Sequence, residues 1–374
     1  MLYLVSDSYS PNTAPCNRIM AYAKALSELN MKTTMVFFYP DKVFSKFEGS
    51  LNNIDFVYYW DNHYLSIPRL KILFIRSYIK QFVKSLQPGD KVFVYGTPDV
   101  VVELSRKESI DVFSEITEHP GVSFNNFVNK TTIKDYLEAC RRISGVVVIS
   151  QGLKNFFIEN GVSPEKVHVV NMIVDTSRFE KLEKQPSDKY VAYCGTVLNN
   201  KDGVDNLIRA FAITASRHSD YKLYIIGNTP SKHQRFGNLA LVQSLGIEDS
   251  VVFTGTVSRD EIPQLLKNAE ILALDRPDNV QAQYGFPTKL GEYLLTGNPV
   301  VVTKVGDIPL FLKDGENSLI AAPSDANDFA DKLCWAIENP DMAKRIGEKG
   351  KKLAELKFNY LLETKKLVSI VFNN

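Results

Sequence analysis

Short apolar runs alternate with amphipathic stretches along almost the whole chain, the pattern of a parallel α/β protein. In the first half the pattern predicts strands over 2–6, 33–38, 55–59, 91–95, 110–115, 145–149 and 168–170. A helix over 15–30 follows the first of these, with Ile19, Ala23, Leu26 and Leu29 at helical spacing. The second half predicts strands over 190–194, 222–226, 251–254, 271–274, 300–303 and 318–321. The first three of these run directly into Gly195, Gly227 and Gly255. Ligands of open α/β sheets sit beyond the carboxyl ends of strands, where a closely approaching backbone favours glycine. The charged, turn-rich text from Glu180 to Lys189 reads as a linker. The expected fold is therefore α/β, with two Rossmann-like domains facing a central cleft, over 1–178 and 179–357, and a last helix over 358–374 packing back toward the first domain.

Composition narrows the function classes. A chain of 374 residues suggests two or three domains, and 44% hydrophobic with 23% charged residues is an ordinary globular balance. Lys and Arg number 44 against 43 Asp and Glu, so no basic field points to nucleic acid. Cys16, Cys140, Cys194 and Cys334 lie far apart, which argues against a disulfide framework or structural zinc and fits a reduced, cytoplasmic chain. No apolar run approaches the ~18 residues of a membrane span.

The most informative text runs from Gln283 to Leu294. Gly285 and Pro287 precede a predicted helix, so Pro287 fits its first turn, where a missing N–H costs nothing. The N–H groups of Thr288, Lys289 and Leu290 would then form an anion site. Lys289 and Glu292 are three apart and share a face, and the carboxylate can accept hydrogen bonds from vicinal hydroxyls such as those of a ribose. From spacing alone, a plain surface ion pair between the two accounts for the pattern equally well.

The run from Tyr284 to Val302 closely resembles the donor-site signature of family 4 glycosyltransferases, which are retaining enzymes of the two-domain GT-B fold. The resemblance continues through Val305–Pro309 and Lys313–Ser318. It extends back to Tyr193–Thr196 with Lys201–Val204, to Ile225–Gly227, to Phe253–Val257 and to Val169–Asp175. It makes 1–178 the acceptor-side domain and 179–357 the domain binding the nucleotide sugar. It implies that Glu292 binds the ribose and that Lys201 contacts the donor diphosphate, with Gly195 beside it. Thr256 and Val257 would hold the base through backbone groups. Two positions depart from the family's pattern: Tyr284 stands where a carboxylate meets the transferred sugar, and Thr196 where an arginine meets the diphosphate. Lys289 is the residue expected to supply the missing charge.

In the first half, Ser8–Pro11 resembles the opening of the family's first loop, but no glycine follows it. Arg18, just inside the next helix, matches an arginine that often follows the loop; a solvated helix-face residue is the alternative. Glu118 and His119 follow a strand and precede Pro120, where the family places an acidic residue or histidine that reaches sugar or acceptor. Glu118 is the first catalytic candidate beside Lys201, and His119 an acceptor-side one.

The implied activity is retaining hexosyl transfer from a nucleotide diphosphate sugar to a saccharide or lipid-linked acceptor, in cell-surface polysaccharide synthesis. The nucleotide sugar is substrate, not cofactor. No Asp-x-Asp occurs, so a metal-independent reaction is expected. A degenerate protein that binds nucleotide or glycan without turnover is the alternative that Tyr284 and Thr196 keep open. Residues 62–89 carry Arg69, Lys71, Arg76, Lys80 and Lys84 and no acidic residue, interleaved with apolar ones. That stretch suits peripheral contact with the inner face of a membrane if the acceptor is lipid-linked, and equally a helix packed on its own sheet.

Overall fold

The apolar runs of the first half pair into one sheet. In the computed structural model, which describes residues 1–6, 14–38, 49–51, 54–58, 68–123 and 131–373, these strands are β1 (Leu2–Ser6), β2 (Thr33–Phe37), β3 (Gly49–Leu51), β4 (Ile54–Tyr58), β5 (Lys91–Tyr95), β6 (Asp111–Ile116), β7 (Gly145–Val148) and β8 (Val167–Val169). Their order is β3-β4-β2-β1-β5-β6-β7-β8, parallel except for β3 against β4. Leu4 pairs with Met35 on one side and Phe93 on the other, and all three are buried. Central parallel strands are covered on both faces, which is why they read as continuous apolar runs rather than alternating ones.

Residues Met1–Ile173 and Tyr360–Asn374 form this first unit, and Val174–Asn359 the second. The last helix, Tyr360–Phe372, belongs to the first unit. The Tyr360 hydroxyl donates to Glu28 at 2.8 Å, the Asn171 N–H donates to Glu363 at 2.7 Å, and Leu367 and Val371 are buried. The division differs from the expected boundaries at 178 and 357. The Val174 N–H donates to the Phe358 carbonyl at 2.8 Å, so both crossings sit side by side in the second unit. The charged text of 180–189 belongs to the second unit too, with all but Leu182 of it exposed. Lys184 pairs with Glu270 at 2.7 Å and the Gln185 N–H donates to Asn268 at 2.9 Å, so the segment is held down rather than free.

Of the basic stretch 62–89, residues 62–67 lie outside the described residues, as does the loop 8–11. The helix Pro68–Ser85 exposes Arg76, Lys80 and Lys84 but buries Ile75, Ile79 and Phe82. Phe82 packs edge-on against Tyr3 and Phe38. Those apolar residues are core and are not available to enter a lipid surface.

The second unit holds β9 (Tyr190–Cys194), β10 (Lys222–Ile226), β11 (Val251–Gly255), β12 (Ile271–Leu274), β13 (Val300–Thr303) and β14 (Leu319–Ala321). They form an all-parallel sheet in the order β11-β10-β9-β12-β13-β14. The winding reverses between β9 and β12, and ligands of such sheets bind outside the carboxyl ends of strands at that point. Gly195 ends the strand at that point, and the strand-ending glycines adjoin along the edge from β9 to β11: the Gly195 N–H donates to Ile226 and the Gly227 N–H to Gly255. A Cβ on Gly227 would collide with the Gly195 carbonyl, so the edge closes only with glycine.

Candidate functional site

The one-turn helix Asn199–Asp202 follows β9 and ends on Gly203, whose φ of 59° lies in the left-handed region. It buries the Asp202 carboxylate directly under the sheet edge. The Lys289 ammonium donates to Asp202 and also to the Tyr193 oxygen at 3.1 Å. The Tyr193 hydroxyl lies 2.8 Å from Asp202 and 2.9 Å from the Thr196 carbonyl, both acceptors for its proton. Arg276, just beyond β12, places Nε 4.0 Å from the other Asp202 oxygen. Burial pushes the Asp202 carboxyl up, but Lys289, Arg276 and the Tyr193 hydroxyl outweigh it, and its pKa falls below the usual value. Burial and then Asp202 push the Tyr193 phenol well above its ordinary value. Lys289 also rides over the Tyr193 ring at 4.6 Å and closely covers Gly195, where a Cβ would strike its ammonium.

The helix Lys289–Leu295 supplies the second half of the site. Its buried Tyr293 hydroxyl accepts from the Cys194 N–H at 2.6 Å and lies 3.1 Å from the Cys194 carbonyl, which ties the helix to the end of β9. Lys289 and Glu292 do not pair with each other. Lys289 reaches Asp202, whereas Glu292 binds Arg178, from the 3₁₀ turn Thr176–Arg178. The same guanidinium donates to the Arg259 carbonyl at 2.7 Å. The expected fan of free N–H groups also needs correction. The helix begins two residues after Pro287, and the Leu290 N–H donates to the Pro287 carbonyl at 3.1 Å, so it is not open to an anion. Thr288 caps the helix without a side-chain hydrogen bond.

The other second-half candidates lie along the same sheet edge. Thr196 directly follows Gly195, and Lys201 is half-buried in the one-turn helix, its carbonyl 3.5 Å from Arg276 Nε. Thr256 and Val257 follow β11, the edge strand, in the segment whose Arg259 carbonyl Arg178 holds. Tyr284 ends the short helix Val280–Tyr284, half-buried, after an Asn279 cap that also donates to the Asn200 carbonyl at 2.6 Å.

In the first unit, Arg18 is neither a solvated residue nor a guanidinium open to a donor phosphate. It is buried; it donates to Glu115 at 2.6 and 3.0 Å, to the Val170 carbonyl at 3.0 Å and to the Asn171 carbonyl at 2.9 Å. The Tyr22 hydroxyl donates to the same Glu115 oxygen at 2.9 Å. Glu118 and His119 lie just past β6, as the sequence places them. The His119 Nδ1 accepts from the Gly121 N–H at 3.1 Å, its ring meets Phe156 edge-on at 4.6 Å, and burial lowers its pKa.

Sequence reading missed Arg178, Asp202, Tyr193, Tyr293, Arg276 and Glu115. Asp202 follows Lys201 within a quoted motif and was the most accessible of them. Asp275, at the end of β12, was missed as well. It is buried, it accepts from the Asn206 amide at 2.6 Å, and burial pushes its pKa up to about 7.

Two all-parallel or nearly parallel sheets, each with its helices, align over the full chain with solved glycosyltransferase structures and define the GT-B fold. Anabaena Alr3699/HepE, crystallised with UDP, matches with a TM-score of 0.76 at 17% identity over 100% of both chains. Sucrose-phosphate synthase from Thermosynechococcus elongatus matches with a TM-score of 0.78 at 16% identity, over 99% of this chain and 97% of that one. Residues 174–353, most of the second unit, match the family model of the glycosyl transferases group 1. The MMP alpha-(1->4)-mannosyltransferase of Mycolicibacterium hassiacum is 26% identical over 219 residues, 58% of this chain and 50% of that protein. The chain spans about half the length of the curated relatives it matches.

Proposed function

We propose that the chain is a retaining glycosyltransferase that moves a sugar from a nucleoside diphosphate donor to a saccharide or lipid-linked acceptor in cell-surface polysaccharide synthesis. The observation that carries this reading is the helix Lys289–Leu295, which sets the Lys289 ammonium against Gly195 at the end of β9 and carries the Glu292 carboxylate one turn along. UDP bound to the Anabaena protein of the same fold supports a nucleotide donor. In this reading Glu292 takes the ribose hydroxyls, while Lys201 and Lys289 face the diphosphate and stabilise the charge that grows on it as the glycosidic bond breaks. The sugar is displaced from the front face with help from the departing phosphate oxygen, and Glu118 and His119 serve the acceptor side.

For a lipid-linked acceptor, the exposed Arg76, Lys80 and Lys84 offer an electrostatic contact of ~1 kcal/mol per residue near an anionic surface. The test is a panel of nucleotide sugars screened for donor hydrolysis and transfer. Hydrolysis of one donor with retained configuration is the expected result. Tight nucleotide binding without hydrolysis of any donor would favour the degenerate binder instead. Sedimentation with vesicles containing phosphatidylglycerol, absent in an Arg76→Glu, Lys80→Glu variant, tests the membrane contact.

A further inference from the structure

Arg178 stands outside every motif discussed above, yet its one guanidinium joins two parts of the proposed nucleotide site. Through one nitrogen it binds Glu292 Oε1, and through the other it donates to the Arg259 carbonyl. Asp175 accepts from the N–H and hydroxyl of Ser177 at 3.1 and 2.6 Å and so fixes the turn that delivers it. The pair is largely withdrawn from water, with side-chain exposures of 17% for Arg178 and 24% for Glu292. Among the described residues Glu292 Oε2 accepts no hydrogen bond, so one oxygen is held and the other is left for a ligand.

We infer that Arg178 is the positioning residue of the ribose clamp. It locks Glu292 in the rotamer that presents Oε2 and ties that carboxylate to the segment after β11 that would hold the base. The inference rests on the reading of Glu292 as a ribose ligand. A planar fork suits this task because it fixes both acceptors at once, which the single ammonium of a lysine does not. The bound ligand is a nucleoside diphosphate, and the feature read through Arg178 is its ribose hydroxyl pair.

The experiment measures binding of uridine, guanosine and adenosine diphosphates to the full chain, continuing with the nucleotide that binds and its 2′-deoxy form. Wild type should prefer the ribonucleotide. Arg178→Ala should weaken ribonucleotide binding by about ten-fold and bring the ribo-to-deoxy ratio close to one. Arg178→Lys should lose most of that ratio too, with thermal stability close to wild type, so the test survives if the alanine variant folds poorly. A role limited to structure would lower the melting temperature and leave the ratio intact, overturning the inference. Tighter nucleotide binding by Arg178→Ala would also overturn it, since Arg178 would then compete with the ribose. If Glu292→Gln binds both nucleotides as wild type does, the ribose assignment itself fails. If Glu292→Gln weakens binding while both Arg178 variants keep the wild-type ratio, only the inference about Arg178 fails.

Discussion

The Lys289 ammonium is bound to the buried Asp202 carboxylate, not to Glu292 one turn along its own helix. The cation beside the candidate diphosphate position is thus held by a residue from the connection after β9. Breaking a buried ion pair by removing one partner leaves an uncompensated charge.

Asp202→Ala should therefore destabilise the chain by about 3–5 kcal/mol, read from urea unfolding. Folding holds the Asp202 carboxyl below its ordinary pKa, so its contribution is present above the unfolded value of 3.8 and is lost as the pH falls through the folded one. A loss under ~1 kcal/mol at pH 7 would contradict the buried-pair account.

Arg18→Ala should also cost about 3–5 kcal/mol, because it strands the buried Glu115 carboxylate. Its effect should appear in the unfolding midpoint and not in nucleotide affinity, measured well below that midpoint. A selective loss of affinity with stability unchanged would restore Arg18 to the donor site.

Asp275 gives the pH dependence its opposite sign. Its folded pKa is raised to about 7 from 3.8, so the folded protein keeps a proton that the unfolded chain has released. Folding is then penalised increasingly as the pH rises between those values, with the full penalty above 7. Asp275→Asn should raise the melting temperature relative to wild type progressively from pH 4 to pH 8. A difference independent of pH would show that Asp275 does not titrate there.

If transfer proceeds as proposed, Lys201→Ala should lower kcat about 10²–10³-fold, ~2.7–4 kcal/mol, with a smaller change in KM. Steady-state kinetics with the donor identified in the panel checks this. A rise in KM alone would mean that Lys201 holds the ground-state donor and no more.

The parallel strands were legible because burial on both faces writes itself as unbroken apolar text, as in Val146–Val148 or Val300–Val302. Strand β3 was not, since three residues beginning with Gly49 carry no pattern. Glu292 and Lys289 were found from the helix that holds them, but their partners were not. Arg178 lies 114 residues away in sequence and Asp202 lies 87 away, and a pairing across the fold leaves no local spacing to read. The Leu290 N–H was misjudged because the turn tightened onto the Pro287 carbonyl before the helix proper began. Arg18 was misjudged because a lone arginine near a helix start says nothing of a carboxylate on β6.

The last helix belongs to the unit that contains the first strand, and this reverses the order in which the two units can finish folding. During synthesis every strand of the first unit leaves the ribosome before the second unit does. Yet Leu4, Leu26 and Phe93 line a surface shared with Leu367 and Val371, which are made only after the whole second unit. The second unit is continuous from Val174 to Asn359 and has no such wait. The first unit therefore completes this packing only after the second has been made, and until then its apolar surface stays open to wrong contacts.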